Sequence, residues 1–208
     1  GEYLYNYKRK GKEYVKENLE YEGDYFCGKK WNGKGFDENG NIIYEIINGT
    51  GTGIREYNEE ILKYEGDYLN GKRHGKGKEY YSNEKILFEG EYLNGQKKKG
   101  KYYFYNGNLF FEGEYLYGLR WKGKEYNKKG ELIFEGEYLN GERWEGKGKE
   151  YKKEEYSLIE YNQSELIFEG EYLNGKRWKG KGKEYNDYDL VFEGEYLNGL
   201  RWNGTGKE

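Results

Sequence analysis

The phrase Phe-Glu-Gly-Glu-Tyr-Leu-Asn-Gly recurs along this chain, and its spacing restricts the possible folds more than any other feature. The glycine of the (Phe/Tyr)-Glu-Gly-(Glu/Asp)-Tyr core falls at Gly23, Gly66, Gly90, Gly113, Gly136, Gly170 and Gly194. The intervals are 43, 24, 23, 23, 34 and 24 residues, so the unit is 23 or 24 residues long. The interval of 43 holds a worn copy, Tyr44-Glu45-Ile46-Ile47-Asn48-Gly49, with Ile46 in the glycine's place. The interval of 34 is one unit plus an insertion near 152–164. We therefore read residues 1–208 as one continuous array of about nine units, with a degenerate unit near 44–57. In such an array each unit buries apolar surface only against its neighbours. Both chain ends cut a unit, so the array is expected to be part of a longer protein.

Each unit reads as a β-hairpin. In its first half, Leu166, Phe168, Gly170 and Tyr172 alternate with Ile167, Glu169, Glu171 and Leu173, the period of a half-buried strand. Asn-Gly follows at 70–71, 94–95, 140–141, 174–175 and 198–199, a hairpin signal because both residues tolerate positive φ. A glycine-interrupted second strand then ends in Lys-Glu-Tyr. Two registers compete at the turn. A two-residue Asn174-Gly175 turn sets Tyr172 opposite Arg177 and lines the ring face with cations. A five-residue loop over Leu173–Arg177 sets Tyr172 opposite Trp178, Gly170 opposite Gly180 and Phe168 opposite Gly182. The second choice brings Glu169 and Glu171 beside Lys179, Lys181 and Lys183, pairs that contribute about 0.2–1 kcal/mol each. The wider loop is the expectation.

Composition agrees with a thin repeat structure. Aromatic residues make up 20% of the chain while formal net charge is only -3, so rings take the place of an aliphatic core. The single Cys27 excludes an intramolecular disulfide framework and fits a reducing compartment. No run approaches the roughly 18 apolar residues of a membrane-spanning helix.

The stretch Tyr64-Glu65-Gly66-Asp67-Tyr68-Leu69-Asn70-Gly71-Lys72-Arg73-His74-Gly75-Lys76-Gly77 resembles the MORN (membrane occupation and recognition nexus) repeat. The resemblance extends along essentially the whole chain. It departs in the units that carry an extra residue and a Trp, in the degenerate unit, and in the insertion at 154–164; the last two are expected to interrupt regular stacking. The resemblance implies an all-β, elongated, single-layer antiparallel array of stacked β-hairpins with aromatic rows along one face. It also implies roles as protein-interaction scaffolds in cilia and the cytoskeleton, and as accessory segments of junctional proteins and lipid kinases.

Motifs for chemistry are scarce. With one His and one Cys, neither a His-rich metal site nor a Ser-His-Asp triad can be assembled. His74 reads as a hairpin-tip residue, and pairs such as Glu169/Glu171 as solvated cross-strand charge. Gly175–Gly182 matches the start of a phosphate-binding loop, but Gly follows the Lys and a strand continues where a helix is needed. Gly49-Thr-Gly-Thr-Gly53 fails for the same lack of context. Lys97-Lys98-Lys99 falls short of the basic clusters that hold anionic membranes, although such a surface remains a possible partner. The slight acidity argues against nucleic acid. Asn48, Asn162 and Asn203 begin glycosylation-like triplets that read as coincidence.

The aromatic rows remain. The Phe or Tyr of the Glu-Gly core reads as buried. Trp31, Trp121, Trp144, Trp178 and Trp202 lie near the loops, and Tyr68, Tyr92, Tyr115, Tyr138, Tyr172 and Tyr196 recur at one position. With Arg120, Arg143, Arg177 and Arg201, which precede four of the Trp residues, these are the residue types that dominate binding hot spots. The expectation is a non-catalytic scaffold with no cofactor, metal or catalytic residue, holding an extended or helical segment of another protein along the ring face. Its setting is expected to be cytoplasmic, at the cytoskeleton or a cilium. The alternatives are a membrane-tethering module for anionic phospholipid and an accessory segment of an enzyme whose catalytic domain lies elsewhere.

Overall fold

The computed structural model describes residues 1–4, 7–152, 165–186 and 189–206. The insertion and the triplet beginning at Asn162 fall outside the described residues, apart from Lys152. All elements are strands, with no helix among the described residues. They fall into two compact units, Gly1–Leu109 with Tyr115–Gly118, and Phe110–Glu114 with Leu119–Glu208.

The first unit holds β1 (Glu2–Leu4), β2 (Tyr7–Val15), β3 (Asn18–Phe26), β4 (Lys29–Phe36) and β5 (Ile42–Ile46), hydrogen-bonded in that order. It continues with β6 (Gly51–Asn58), β7 (Ile61–Leu69), β8 (Lys72–Tyr80), β9 (Ile86–Leu93) and β10 (Gln96–Tyr103), again in sequence order. Strand β11 (Leu109–Leu116) is divided between the units. The second unit holds β12 (Leu119–Tyr126), β13 (Leu132–Leu139), β14 (Glu142–Tyr151), β15 (Leu166–Leu173), β16 (Lys176–Asn186), β17 (Asp189–Leu197) and β18 (Leu200–Gly206), each beside the next. These are antiparallel sheets of sequential hairpins, the fold class expected from the alternating pattern.

The register corrects one expectation. The hairpin β15–β16 closes with the two-residue turn: Leu173 faces Lys176 and Tyr172 faces Arg177. Asn174 and Gly175 both take positive φ, 52° and 74°, the pair of left-handed residues that a type I′ turn needs. A bulge between Glu171 and Tyr172 then absorbs Trp178, so that Glu171 faces Lys179, Gly170 faces Gly180 and Phe168 faces Gly182. The five-residue loop was therefore wrong at the tip and right beyond it. A bulge adds one residue to one strand without disturbing the ladder on either side.

The two faces divide as the alternation requires. Phe168 and Tyr172 are buried, whereas Glu169 and Lys179 are exposed. Across the exposed face Lys149 meets Glu169 at 3.1 Å and Lys124 meets Glu135 at 3.6 Å. Glycine at the strand centre is a packing requirement. A Cβ on Gly170 would lie 2.2 Å from the Lys179 carbonyl oxygen and 2.8 Å from Cζ of Phe168, whose ring covers the Gly170–Gly180 pair.

The insertion does not interrupt the ladder. Tyr151 faces Leu166, the Lys152 amide donates to the Glu165 carbonyl at 2.8 Å, and Gly148 faces Gly170. The degenerate unit does interrupt it. Ile46 faces Gly33, and Ile54 faces Gly66. Both isoleucines are 1% exposed and occupy space that elsewhere belongs to glycine backbone. Between β5 and β6 only the Ile47–Thr50 bridge remains, and a new sheet begins at β6.

Candidate binding face

The ring face is built from three interlocked rows. The first is the Phe or Tyr of the Glu-Gly core: Tyr21, Tyr64, Phe88, Phe111 and Phe168 have no exposed surface, and Phe134 has 1%. The second is the tyrosine four residues on, which stands edge-on between two of these rings. Tyr172 meets Phe168 at 5.4 Å and Phe134 at 5.6 Å, and Tyr196 meets Phe192 at 5.7 Å and Phe168 at 5.6 Å. Each such edge-to-face pair adds about 0.5–1.5 kcal/mol beyond burial. Tyr68, Tyr92, Tyr138, Tyr172 and Tyr196 are accordingly buried and Tyr115 half-buried, so this row packs the hairpins together and shows little surface.

The third row is cationic and sits two residues past each turn glycine. The Arg143 guanidinium lies 5.0 Å from the centre of the Phe134 ring, Arg177 4.9 Å from Phe168, and Arg201 4.9 Å from Phe192. In the first unit Arg73 covers Tyr64 at 4.1 Å, Lys97 covers Phe88 at 4.7 Å, and Lys30 covers Tyr21 at 4.8 Å. This is the row of cations on the ring face that the two-residue turn implied. It is stable because each cation meets ring electrons below it and a carboxylate beside it.

That carboxylate is the glutamate of Lys-Glu-Tyr in the preceding hairpin, a residue to which the sequence assigned no role. Arg143 pairs with Glu125 at 3.2 Å, Arg177 with Glu150 at 2.5 Å, Arg201 with Glu184, Lys97 with Glu79 at 2.7 Å, and Lys30 with Glu13 at 3.1 Å. Arg120, whose preceding unit reads Lys101-Tyr102-Tyr103, turns instead to Glu125 of its own hairpin at 3.2 Å. The same glutamates accept from the second tyrosine: Tyr172 Oη donates to Glu150 at 2.8 Å and Tyr138 Oη to Glu125 at 3.2 Å. Burial, reinforced by the Glu150 charge, pushes the Tyr172 phenol well above its ordinary range. A signal did exist in the sequence. Period two along β16 puts Glu184 on the face of Gly182, opposite Phe192, and away from Lys183.

The Trp residues do two different things. Trp144 and Trp178 are half-buried, each beside the turn glycine of the following hairpin. Their carbonyls accept from Gly175 and Gly199, both at 3.0 Å. Trp31 does the same with Gly49 at 2.8 Å. Trp121 and Trp202 are open, 43% and 69% exposed. His74 occupies the equivalent place after Arg73 and is half-buried, with Nδ1 unpartnered. Cys27 is exposed at a turn. Among the described residues no group of three or more His, Cys, Asp or Glu side chains comes together to hold a metal.

Hairpins in sequence order, a ring ladder with glycine at its centre, and a cation over each ring define a β-hairpin repeat protein. The family model of the MORN repeat matches residues 64–85, which contain β8 and the turn before it. The described hairpins beyond that match, the degenerate one excepted, place similar residue types at the same ladder positions. A search of curated proteins returns no match to the chain.

Proposed function

We propose that the chain is a non-catalytic scaffold that holds a segment of another protein along its ring face, in a cytoplasmic assembly of the cytoskeleton or a cilium. The observation that carries this reading is the recurrence of a cation–Glu–Tyr cluster on the ring face in most hairpins of each unit, with no helix among the described residues. Two strands per hairpin space the clusters about 9.6 Å apart. A helix advances about 10.5 Å in seven residues, and an extended segment about 10 Å in three, so either repeats in step with them. Arg is a hot-spot residue, and guanidinium groups held by glutamate are pre-organised, which lowers the ordering cost of binding. Trp121 and Trp202 supply open aromatic surface at the rim.

Membrane tethering gains no support from the basic run, since Lys97 is engaged by Glu79 and Lys98 by Glu91. The test is quantitative affinity capture comparing the wild type with Arg143→Gln and Arg177→Gln, made singly and each with intact β circular dichroism. Loss of a discrete protein set in each variant is expected. An unchanged set would remove the ring face as the binding surface.

A further inference from the structure

Among the described residues two hairpin tyrosines, Tyr68 and Tyr92, have a buried hydroxyl without a hydrogen-bond partner, and of the two it is Tyr68 that lines the cavity described below. Tyr25 Oη donates to Glu13 at 2.9 Å, Tyr138 to Glu125 at 3.2 Å, Tyr172 to Glu150 at 2.8 Å, and Tyr196 to Glu184. Tyr68, only 9% exposed, has an Oη with no partner. The glutamate at its register is Glu56, which accepts from Nη2 of Arg73 at 2.5 Å and, unlike Glu125, Glu150 and Glu184, does not also hold the tyrosine.

The cavity originates at the degenerate hairpin. The position two residues past the turn glycine, a cation in the neighbouring hairpins, is Gly51 here. With that side chain missing and the ladder split by Ile46 and Ile54, a cavity of about 490 Å³ opens within the first unit, and Tyr68 lines it. Its floor is apolar, from the two isoleucines. Its charge is not balanced. Lys29, Lys30, Arg55, Lys72 and Arg73 line it against only Glu13 and Glu56. Lys30 and Arg73 are matched by those two glutamates at 3.1 and 2.5 Å. Arg55 keeps long carboxylate contacts, 4.0 Å to Glu20 and 3.7 Å to Glu65, beside its hydrogen bond with Tyr57, and the Lys29 ammonium rests on the Gly71 carbonyl at 3.0 Å.

We propose that this cavity binds the side-chain carboxylate of an acidic segment of a partner protein. The carboxylate accepts from the Tyr68 hydroxyl and sits among Arg55, Lys29 and Lys72, taking the place that a glutamate of the chain fills at Tyr138, Tyr172 and Tyr196. This rests on the reading that the ring face takes a polypeptide and adds where along it an acidic residue is selected. A carboxylate near unmatched cations, with a phenol donor, forms charge-assisted hydrogen bonds stronger than neutral ones.

The test is fluorescence anisotropy with a labelled peptide of alternating Glu and Ser, its Gln–Ser counterpart, and phosphatidylserine vesicles. These are titrated against the wild type, Tyr68→Phe and Lys72→Gln. The Glu–Ser peptide is expected to bind the wild type, to bind Tyr68→Phe about tenfold more weakly, and to lose affinity in Lys72→Gln. Inorganic phosphate is expected to compete only weakly. Tyr68→Phe is expected to be at least as stable as the wild type, because it removes a buried hydroxyl with no partner. Equal binding of the two peptides would overturn the carboxylate site while leaving the polypeptide groove standing, as would unchanged affinity in Tyr68→Phe. Binding of vesicles and of neither peptide, or of nothing, would overturn both.

Discussion

Arg143 and Glu125, eighteen residues apart, meet as a two-point ion pair in which Nε donates to Oε2 and Nη2 to Oε1, both at 3.2 Å. The side chains are 20% and 13% exposed, and the guanidinium also covers the Phe134 ring. The pair ties one hairpin to the next at the same level as the ring ladder. In a thin sheet of hairpins such ties stand where a second layer of apolar side chains would otherwise be.

Removing Arg143 leaves Glu125 with Arg120 and Tyr138, both at 3.2 Å, whereas removing Glu125 takes the carboxylate from Arg143 and Arg120 together. Glu125→Gln is expected to destabilise the protein by about 3 kcal/mol in urea unfolding, and Arg143→Gln by about half as much. The double variant is expected to lose less than the sum, with a coupling of about 1.5 kcal/mol. Strict additivity would mean that the two groups do not sense each other.

Acid should loosen the ladder. On Glu150 burial is the largest influence and raises its pKa, but hydrogen bonds from Arg177 and Tyr172 outweigh it, and the carboxyl ends below its ordinary value of 4.5. Glu184 is lowered mainly by the Arg201 hydrogen bond. A lowered carboxyl contributes stability that is complete above its unfolded value and is lost as pH falls through the folded one. Glu20, raised by burial, has the opposite slope. The urea midpoint is expected to be level from about pH 7 to about pH 5 and to fall below that, with a shallower fall in Glu150→Gln. Identical profiles for the two proteins would exclude Glu150 as a contributor.

The Trp residues should separate by position. Trp178→Ala removes a ring set against the next turn at Gly199 and is expected to cost about 2 kcal/mol. Trp202→Ala, at a residue 69% exposed, is expected to stay within about 0.5 kcal/mol. Equal thermal midpoints for the two variants would show that Trp178 does not couple adjacent tips.

Two of the described turns lack the usual Asn, at Cys27 and at Tyr117. Tyr117 takes the left-handed conformation, φ 52°, at a position where most hairpins carry Asn, and its side chain is 81% exposed. Tyr117→Asn is expected to raise stability by about 1 kcal/mol, or about 2–4 °C in the thermal midpoint. No change would indicate that the strain is already relieved in solution.

Much of this was legible in the residues because it depends on period alone. The alternation Leu166-Phe168-Gly170-Tyr172 determines which side chains are buried. Asn174-Gly175 determines where the chain reverses. The spacing of the glycines determines how often it does so. Three things were decided only by the tertiary structure. The Trp178 bulge allows a two-residue turn and a glycine-paired ladder to coexist, since a bulge shifts register without leaving a mark in composition. Glu184 is placed on the ring face by alternation, but its partner, Arg201, arrives from another hairpin. Tyr68 lines a cavity because two isoleucines and a missing cation in the degenerate unit split the sheet beside it. Local periodicity can dictate which way a side chain points. Which charge it meets is settled by contacts between hairpins, and those exist only once the strands are stacked.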